Sequence, residues 1–494
     1  MEIKIVKNKI RKGLRWGAID MLSNKFIAII SSVILTRLLL PSDFGVYAIA
    51  MSVVSMANVF TFTGLHGAYI QKRNTDENDL NVIWTIEFFK CIILLFFVFN
   101  SSSLVGILMS NNDVVPIIKI ISFIFPLQGL QNIGILVLRK ELDIKLQFIF
   151  NVIPQILTSV LSIVLAFYLK NVWAIVYSFM LGAIVKLLLS YIIHPYKPKF
   201  SFDRDRLKEL FKFGKWLFLG SIINFVRRQG IILVIGGIWG VVILGYYNRA
   251  SALSINLFTS IQKLFPQIAF PAFSSIQESP NVVRSVFLQT IKITGLLSTT
   301  IISIAFVLSK DMILVLFGYA WIEILIYLKY LLIISLLEII VAPFKSVLNA
   351  MCIPRANTNV GFVNVFLVVC GIFIGIFFDS INYLFYSVII ANIISIIIYI
   401  FVSGNILKTA VREIIISFLP AILAGSVLIS VGYWVNSILV GFDLYYVTGR
   451  LVMLIGMGVG IIYAFDILFG MGIRSMIGFS HQNNSESDNA ENVT

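Results

Sequence analysis

Charged side chains are scarce in this sequence of 494 residues: they make up 13% of the chain, whereas hydrophobic residues make up 59%. A soluble globular protein carries about twice that share of charged residues. The mean hydropathy of +0.96 is also too high for such a protein. The scarcity of charge therefore excludes a soluble globule and indicates a polytopic membrane protein.

Cysteine and histidine are rare as well, with three of each. The cysteines show no metal-ligand spacing, and we expect them to be reduced packing residues: Cys91, Cys352 and Cys370. The histidines stand far apart in the chain, at His66, His194 and His481. The sequence also lacks a glycine-rich phosphate-binding loop. We therefore predict no catalytic residues, no metal site and no cofactor.

Long apolar runs are what the sequence does contain. Runs of about 20 apolar residues recur between Trp16 and Phe469, and this is the length that a helix needs to cross the hydrocarbon core. The runs are too long and too uniformly apolar for the strands of a barrel. We therefore predict an all-α polytopic membrane protein with about 14 transmembrane helices.

The sequence also contains an internal repeat. Six residues recur 200 positions later: Lys12, Trp16, Asn24, Gly45, Tyr47 and Ala50 return as Lys212, Trp216, Asn224, Gly245, Tyr247 and Ala250. A fixed internal period predicts two equivalent lobes, which is how many transporters are built. We therefore predict two pseudo-symmetric lobes of six helices each, followed by two additional C-terminal helices.

The predicted domain boundaries follow from this repeat and from the polar segments between the apolar runs. They are an N-lobe over 1–193, a basic cytoplasmic linker over 194–215, a C-lobe over 216–403, two additional helices within 404–479 and a disordered tail over 480–494. One of the predicted N-lobe spans covers residues 114–137. Six spans in each lobe give both lobes the same orientation in the membrane.

Basic loop residues are distributed unevenly between the two sides of the predicted membrane. Most lie on alternate loops, and only four lie on the opposite side: Arg37, Lys170, Lys310 and Arg450. This positive-inside asymmetry predicts that both termini are cytoplasmic. It also accounts for the net charge of +14 without a nucleic-acid partner.

Several basic residues lie inside predicted spans, where each costs roughly 2.5 kcal/mol or more at the bilayer centre unless it faces protein or water. Arg249, Asn256 and Lys263 are spaced seven apart, so they share one helix face. Such a face predicts a cationic cavity for an anion such as a pyrophosphate or an acidic sugar. The predicted substrate-binding set is Lys25, Arg227, Arg228, Arg249, Asn256 and Lys263.

Acidic residues are fewer in the predicted spans. Glu87 with Lys90 and Glu338 with Lys345 are at spacings that predict neutralising pairs. Lys25 is close to Asp20 in the sequence but does not share its helix face. We therefore predict Asp20 as the site of a coupling ion, H⁺ or Na⁺.

Several segments of the chain resemble a known family. They are LTRLLLPSDFGVYA at 35–48, GLHGAYIQK at 64–72, LRKELD at 138–143, GYYNRA at 245–250 and FPQIAFP at 265–271. This pattern, over nearly the whole chain, is similar to the bacterial polysaccharide flippases of the WzxC/PST type in the MOP superfamily. The resemblance implies a MATE-like fold.

The resemblance also implies a function. It implies a flippase in the bacterial cytoplasmic (inner) membrane that moves an undecaprenyl-pyrophosphate-linked oligosaccharide repeat unit by alternating access. The product would be a surface polysaccharide such as lipopolysaccharide, O-antigen or exopolysaccharide. Membrane lipids, a polysaccharide polymerase and chain-length proteins are the partners that it implies.

The resemblance assigns roles to some of the basic residues. In the related lipid II flippases, basic residues on the first and eighth helices line the cavity. One first-helix position falls on Lys25, and the eighth-helix position falls on Arg249. A second first-helix position falls on Ser31, so Arg227 or Arg228 is expected to share the head-group contact.

Two other functions are compatible with a polytopic membrane protein. A cation-coupled multidrug exporter of the same superfamily would favour acidic residues in its cavity, whereas this sequence predicts basic ones. A membrane oligosaccharide polymerase or glycosyltransferase would need sizeable outer loops with catalytic motifs, and the loops here are short. We therefore predict a transporter and not an enzyme.

Overall fold

The computed structural model describes residues 2–61, 65–72, 75–141, 143–203, 229–439, 441 and 444–469. Helices are the regular secondary structure throughout these segments. In chain order they are α1 (Glu2–Leu38), α2 (Pro41–Thr61), α3 (Leu65–Gln71), α4 (Glu77–Leu108), α5 (Val114–Ile121), α6 (Ile124–Gly129), α7 (Ile135–Lys140), α8 (Ile144–Leu169), α9 (Trp173–Ile193), α10 (Gln229–Ile238), α11 (Gly240–Ser275), α12 (Pro280–Val307), α13 (Ser309–Leu316), a 3₁₀ turn (Tyr319–Trp321), α14 (Ile324–Ala350), α15 (Pro354–Phe377), α16 (Ile381–Leu407), α17 (Val411–Ser417), α18 (Leu419–Ile438) and α19 (Leu444–Phe469).

Within these segments, ten helical stretches are long and apolar enough to cross a membrane. They lie in α2, α4, α8, α9, α12, α14, α15, α16, α17 with α18, and α19. The helices α1 and α11, of 37 and 36 residues, are also longer than the roughly 20 residues that a span requires. The all-α polytopic architecture is confirmed, and the number of fourteen spans stays a prediction.

Large apolar side chains cover the outer faces of these helices. Ile93 and Phe97 on α4 are 67% and 63% exposed, and Phe366 on α15 is 67% exposed. In water, contiguous apolar surface of this kind leads to association. In a bilayer the same side chains contact lipid. Charged residues are scarce in the sequence because these lipid-facing surfaces are apolar.

Local polar contacts set the helix boundaries. Between α1 and α2, the Asp43 carboxylate accepts hydrogen bonds from the backbone N–H groups of Leu40 (2.9 Å) and Val172 (3.0 Å). At the start of α4, Asp76 and Asp79 form a capping box, in which each side chain accepts from the other residue's backbone N–H. These carboxylates satisfy N–H groups that have no partner within the helix.

The prediction of one continuous span over 114–137 was wrong, because α5, α6 and α7 are separate short helices. Between α6 and α7, the Asn132 side chain donates to the backbone carbonyls of His194 (2.8 Å) and Tyr196 (2.6 Å), and its Oδ1 accepts from the Gly134 N–H (2.9 Å). These bonds take the place of helical ones. Hydropathy does not report such contacts, since they join residues about 60 positions apart.

Replacing Asn132 with leucine is expected to lower the free energy of unfolding by about 2–4 kcal/mol, because a buried carbonyl and a partly buried one lose their donor. Thermal unfolding of the purified protein in detergent measures this loss. Asn100→Leu is the matched control, since Asn100 is exposed and, among the described residues, its side chain bonds only to the Phe96 carbonyl of its own helix. Equal melting temperatures for both variants would contradict the expectation.

The chain forms two compact units, residues 1–249 and 250–494, and the border between them lies within α11. The predicted linker over 194–215 is described only as far as residue 203. Its described part is extended and bonded to α4: the Lys199 N–H donates to Asn81 Oδ1 (2.9 Å), and the Ser201 N–H donates to Thr85 Oγ1 (2.9 Å).

In the first unit, two glycines related by the 200-residue offset make equivalent close contacts. A Cβ atom on Gly45 would lie 1.8 Å from the Val241 carbonyl oxygen, and one on Gly245 would lie 1.8 Å from the Pro41 carbonyl oxygen. Pro41 and Val241 are themselves 200 positions apart. The first turns of α2 and α11 therefore contact each other reciprocally, as a two-fold relation between repeats requires.

The second unit packs around a cluster of aromatic side chains. The Phe344 ring lies 5.3 Å from Phe287, 6.0 Å from Tyr399 and 6.3 Å from Phe418. Beside this cluster, α18 approaches α12 through Gly425, where an added Cβ would lie 2.6 Å from the Thr299 methyl carbon. Small residues of this kind allow close helix packing in membranes, where lipid removes the usual hydrophobic drive for association.

A buried ion pair joins α13 to α19 in the second unit. Arg450 Nη1 lies 2.9 Å from Asp311 Oδ2, and both side chains are at most 5% exposed. The sequence placed Arg450 in an outer loop, but the residue lies within α19. Its guanidinium also donates to the Gly441 carbonyl, so the pair fixes the turn before α19.

The Arg450→Met variant is expected to lose about 3–5 kcal/mol of unfolding free energy, because the Asp311 carboxylate stays buried without its partner. The double variant Arg450→Met with Asp311→Leu should regain part of this loss, since no charge then remains buried. Melting temperatures in detergent distinguish the two cases. A double variant no more stable than the single one would show that the ion pair is not the cause.

Candidate functional site

The first unit contains a polar cavity of about 690 Å³ between α1, α3, α4, α6, α8 and α9. Five carboxamide side chains contribute to its lining: Asn24, Gln128, Gln131, Asn151 and Gln155. Charged or titratable side chains in the lining are His66, Glu87, Cys91 and Lys186. A cavity of this size can hold several sugar rings or a diphosphate.

The position of α8 determines one wall of the cavity. Asn151, Gln155 and Thr158 lie at positions i, i+4 and i+7, so they share one helix face. The Thr158 hydroxyl donates to the Pro154 carbonyl (2.8 Å). On α9, Gly182 lets the two helices approach, because an added Cβ would lie 1.9 Å from Thr158 Oγ1.

A chain of hydrogen bonds connects the carboxamides of α1 and α8. Asn24 Nδ2 donates to Asp20 Oδ1 (3.0 Å), and Gln155 Nε2 donates to the Asn24 backbone carbonyl (3.2 Å). Asn24 Oδ1 is buried and has no partner in the described part of the chain. A buried acceptor without a partner is costly, so Asn24 is poised to bind a donor from a ligand or water.

Other carboxamides in the lining have free hydrogen-bonding capacity. Among the residues that the structure describes, no side-chain hydrogen bond is made by Gln128, Gln131 or Asn151. A carboxamide offers both donors and acceptors. These groups can therefore bind a ligand without breaking bonds that hold the fold together.

The charges of the cavity are arranged in two places. Lys90 Nζ lies 2.6 Å from Glu87 Oε2, which confirms this predicted pair, and His66 Nε2 lies 3.7 Å from Glu87 Oε1. Lys186 Nζ lies 5.0 Å from the centre of the Phe150 ring. Within the described ranges, no carboxylate lies within 4.0 Å of Lys186, so this ammonium group can bind an anion.

Arg249 lies at another position of the first unit, on α11. Its guanidinium stacks 4.3 Å from the centre of the Phe44 ring and donates to Asn248 Oδ1 (2.7 Å) and Ser32 Oγ (3.4 Å). Its Nε is buried and has no hydrogen-bond partner among the residues that the structure describes, and no described carboxylate pairs with it. Arg249 therefore keeps a donor available for an anion.

The other predicted basic residues are only partly covered by the structure. Lys25 lies half-buried on α1, next to Asn24 of the cavity. Arg227 and Arg228 lie outside the described residues. Asn256 and Lys263 fall within α11, but their side chains also lie outside what the structure describes. Whether these residues form one cationic cluster with Arg249 therefore stays a prediction.

Several cavity residues are not among the predicted site residues, because those were identified by their charge. The signal for them was present: the carboxamides of Gln128, Gln131, Asn151 and Gln155 interrupt apolar runs at helical spacing. His66 seemed isolated in the sequence. The fold brings it to Glu87, 21 positions further along the chain.

Comparison with known proteins places the chain among polysaccharide biosynthesis proteins. A family model described as "Polysaccharide biosynthesis protein" matches residues 34–326, which is more than half of the chain. The lipopolysaccharide biosynthesis protein WzxC of Escherichia coli (strain K12) is 26% identical over 375 residues, covering 73% of each chain. The teichuronic acid biosynthesis protein TuaB of Bacillus subtilis (strain 168) is 22% identical over 347 residues, covering 70% of this chain and 72% of its own.

Two solved structures share the fold. A lipid II flippase MurJ in an inward closed conformation has a TM-score of 0.72 at 13% identity, covering 93% of this chain and 99% of its own. A multidrug resistance MATE family transporter of the MOP superfamily, facing inward, has a TM-score of 0.61 at 14% identity, covering 80% and 99%. The predicted MOP/MATE-like fold is thereby confirmed.

Proposed function

Because the chain belongs to the polysaccharide biosynthesis protein family, we propose that it translocates an undecaprenyl-pyrophosphate-linked oligosaccharide repeat unit across the cytoplasmic membrane. The protein is a membrane transporter and not an enzyme. It works by alternating access, and the repeat unit serves a surface polysaccharide. The positive-inside pattern of the loops supports cytoplasmic termini. A polysaccharide polymerase and chain-length proteins would act on the unit after it crosses.

The observation that carries this proposal is the polar cavity inside a bundle of membrane-crossing helices. Polar and cationic groups are costly in a membrane, and they mark a substrate pathway when they face an internal cavity. Lys186 and Arg249 have no carboxylate partner in the described segments, so they are available to an anionic cargo. A glycan attached to a diphosphate matches both the hydrogen-bonding groups and the cations.

In this proposal the diphosphate contacts Arg249. A guanidinium presents paired N–H groups that match phosphate oxygens, and stacking on Phe44 holds it in place. Lys25, Arg227 and Arg228 would share the negative charge, and Asn256 and Lys263 would extend the same face of α11. The undecaprenyl chain would stay in the bilayer.

Transport against a gradient needs a coupled ion, and we assign H⁺ or Na⁺ to Asp20. The Asp20 carboxylate accepts a hydrogen bond from Asn24, which lines the cavity. A change of charge at Asp20 would therefore be transmitted to a residue that faces the cargo. Glu87, the carboxylate that does line this cavity, is neutralised by Lys90.

Genetic complementation tests the proposed function. A strain that lacks its own repeat-unit flippase should regain surface polymer when it expresses this protein, and lipid-linked repeat units should stop accumulating. The alternative is a cation-coupled multidrug exporter, which shares the fold. Drug resistance without polymer would support that alternative and overturn the proposal.

A further inference from the structure

The cavity of the first unit presents more carboxamides than a site for a diphosphate requires. Five line it on three helices and the turn after α6, together with one hydroxyl, and the apolar ring of Phe179. A fixed anion is best bound by cations and by N–H donors. Groups that both donate and accept instead match sugar hydroxyls, which also do both.

The hydrogen bonds of these carboxamides within the protein also favour sugar hydroxyls as their ligand. Gln128, Gln131 and Asn151 make no side-chain hydrogen bond in the described part of the chain, and the buried Asn24 Oδ1 has no partner there. Carboxamides that served the fold would be bonded within the protein. Unbonded ones at the surface of one cavity are arranged for a ligand that supplies both donors and acceptors.

We infer that this cavity is the glycan subsite, in which carboxamides on α1, α6 and α8 bind the hydroxyl groups of the oligosaccharide. This inference rests on the proposed function and adds to it the location of the sugars. The ring of Phe179 offers an apolar face for the C–H face of a sugar. Lys186 can bind a carboxylate where the sugar carries one.

The test compares two probes on the purified full-length protein. One probe is undecaprenyl diphosphate, and the other is the lipid-linked repeat unit extracted from a strain in which the flippase gene is deleted. Tryptophan fluorescence measures both affinities. Wild-type protein should bind the lipid-linked repeat unit at least about tenfold more tightly, since several hydrogen bonds to the glycan are added.

The decisive variant is Gln128→Leu with Asn151→Leu, because neither side chain is bonded within the described protein and the fold should persist. It should lose about tenfold in affinity for the repeat unit and none for undecaprenyl diphosphate. Asn100→Leu removes an exposed carboxamide of α4 and should change neither affinity. The single variant Asn151→Gln keeps a carboxamide at this position and should retain most of the affinity for the repeat unit.

The outcomes separate this inference from the function on which it rests. Loss of affinity for the repeat unit alone supports a glycan subsite. Unchanged affinities, or an equal loss for both probes, overturn it while leaving the flippase proposal intact. If wild-type protein binds neither probe, the proposed function itself fails, and the subsite fails with it.

Discussion

Arg249→Ala is expected to reduce export of the polysaccharide by about 100-fold or more, because the diphosphate loses a charge-assisted pair of hydrogen bonds. The guanidinium of Arg249 contacts Phe44, Asn248 and Ser32, while its Nε has no hydrogen-bond partner in the described part of the chain. Surface polymer in the complemented deletion strain is the measurement.

Two further variants separate binding from folding. Arg249→Lys keeps the charge but loses the planar donors, so it should restore an intermediate amount of polymer. Arg355→Ala removes an exposed arginine at the start of α15 and should behave as wild type. All proteins must reach the membrane in equal amounts. Full polymer with Arg249→Ala under these conditions would remove Arg249 from the proposed site.

Gly45→Ala is expected to destabilise the fold by at least about 3 kcal/mol, and Gly245→Ala by a similar amount. In each case the new Cβ would lie 1.8 Å from a backbone carbonyl oxygen, which cannot move aside as a flexible side chain can. Because the two contacts are reciprocal, the two losses should be alike. Melting temperatures and the yield of folded protein in detergent are the measurements.

Glycines without such a contact provide the control. An added Cβ on Gly17 or Gly361 would meet nothing within 4 Å, so alanine there should be neutral or slightly stabilising. A small effect at Gly45 and a large one at Gly361 would contradict the reciprocal contact. A large effect at Gly45 alone would show that the two copies of the repeat do not pack alike.

Much of the fold was predictable from the sequence, because a bilayer imposes simple rules on composition and length. Apolar runs of about 20 residues predict single helices, for example, and one such run, residues 173–193, forms α9. The repeat also pointed to Gly45 and Gly245, because a close contact between two backbone segments leaves no room for a Cβ atom. Residues 114–137 were predicted less well, because Asn132, between α6 and α7, bonds to residues distant in sequence.

The site was less predictable than the fold. Charge alone pointed to Arg249 and to the pairing of Glu87 with Lys90. The structure shows an ion pair between Glu87 and Lys90, and at Arg249 an Nε without a partner among the described residues. The carboxamides were missed because a lone Asn or Gln in a span has many structural uses. Only the packing of α1, α4, α6, α8 and α9 shows that several of them face one cavity.

Transport by the purified protein in sealed vesicles is the most direct measurement of the central claim. The lipid-linked repeat unit, extracted from the deletion strain and placed in the inner leaflet, should reach the outer leaflet faster with wild-type protein than in protein-free vesicles. Arg249→Ala should abolish the difference. Vesicles that move a cationic drug but move the repeat unit no faster than protein-free vesicles would contradict the account.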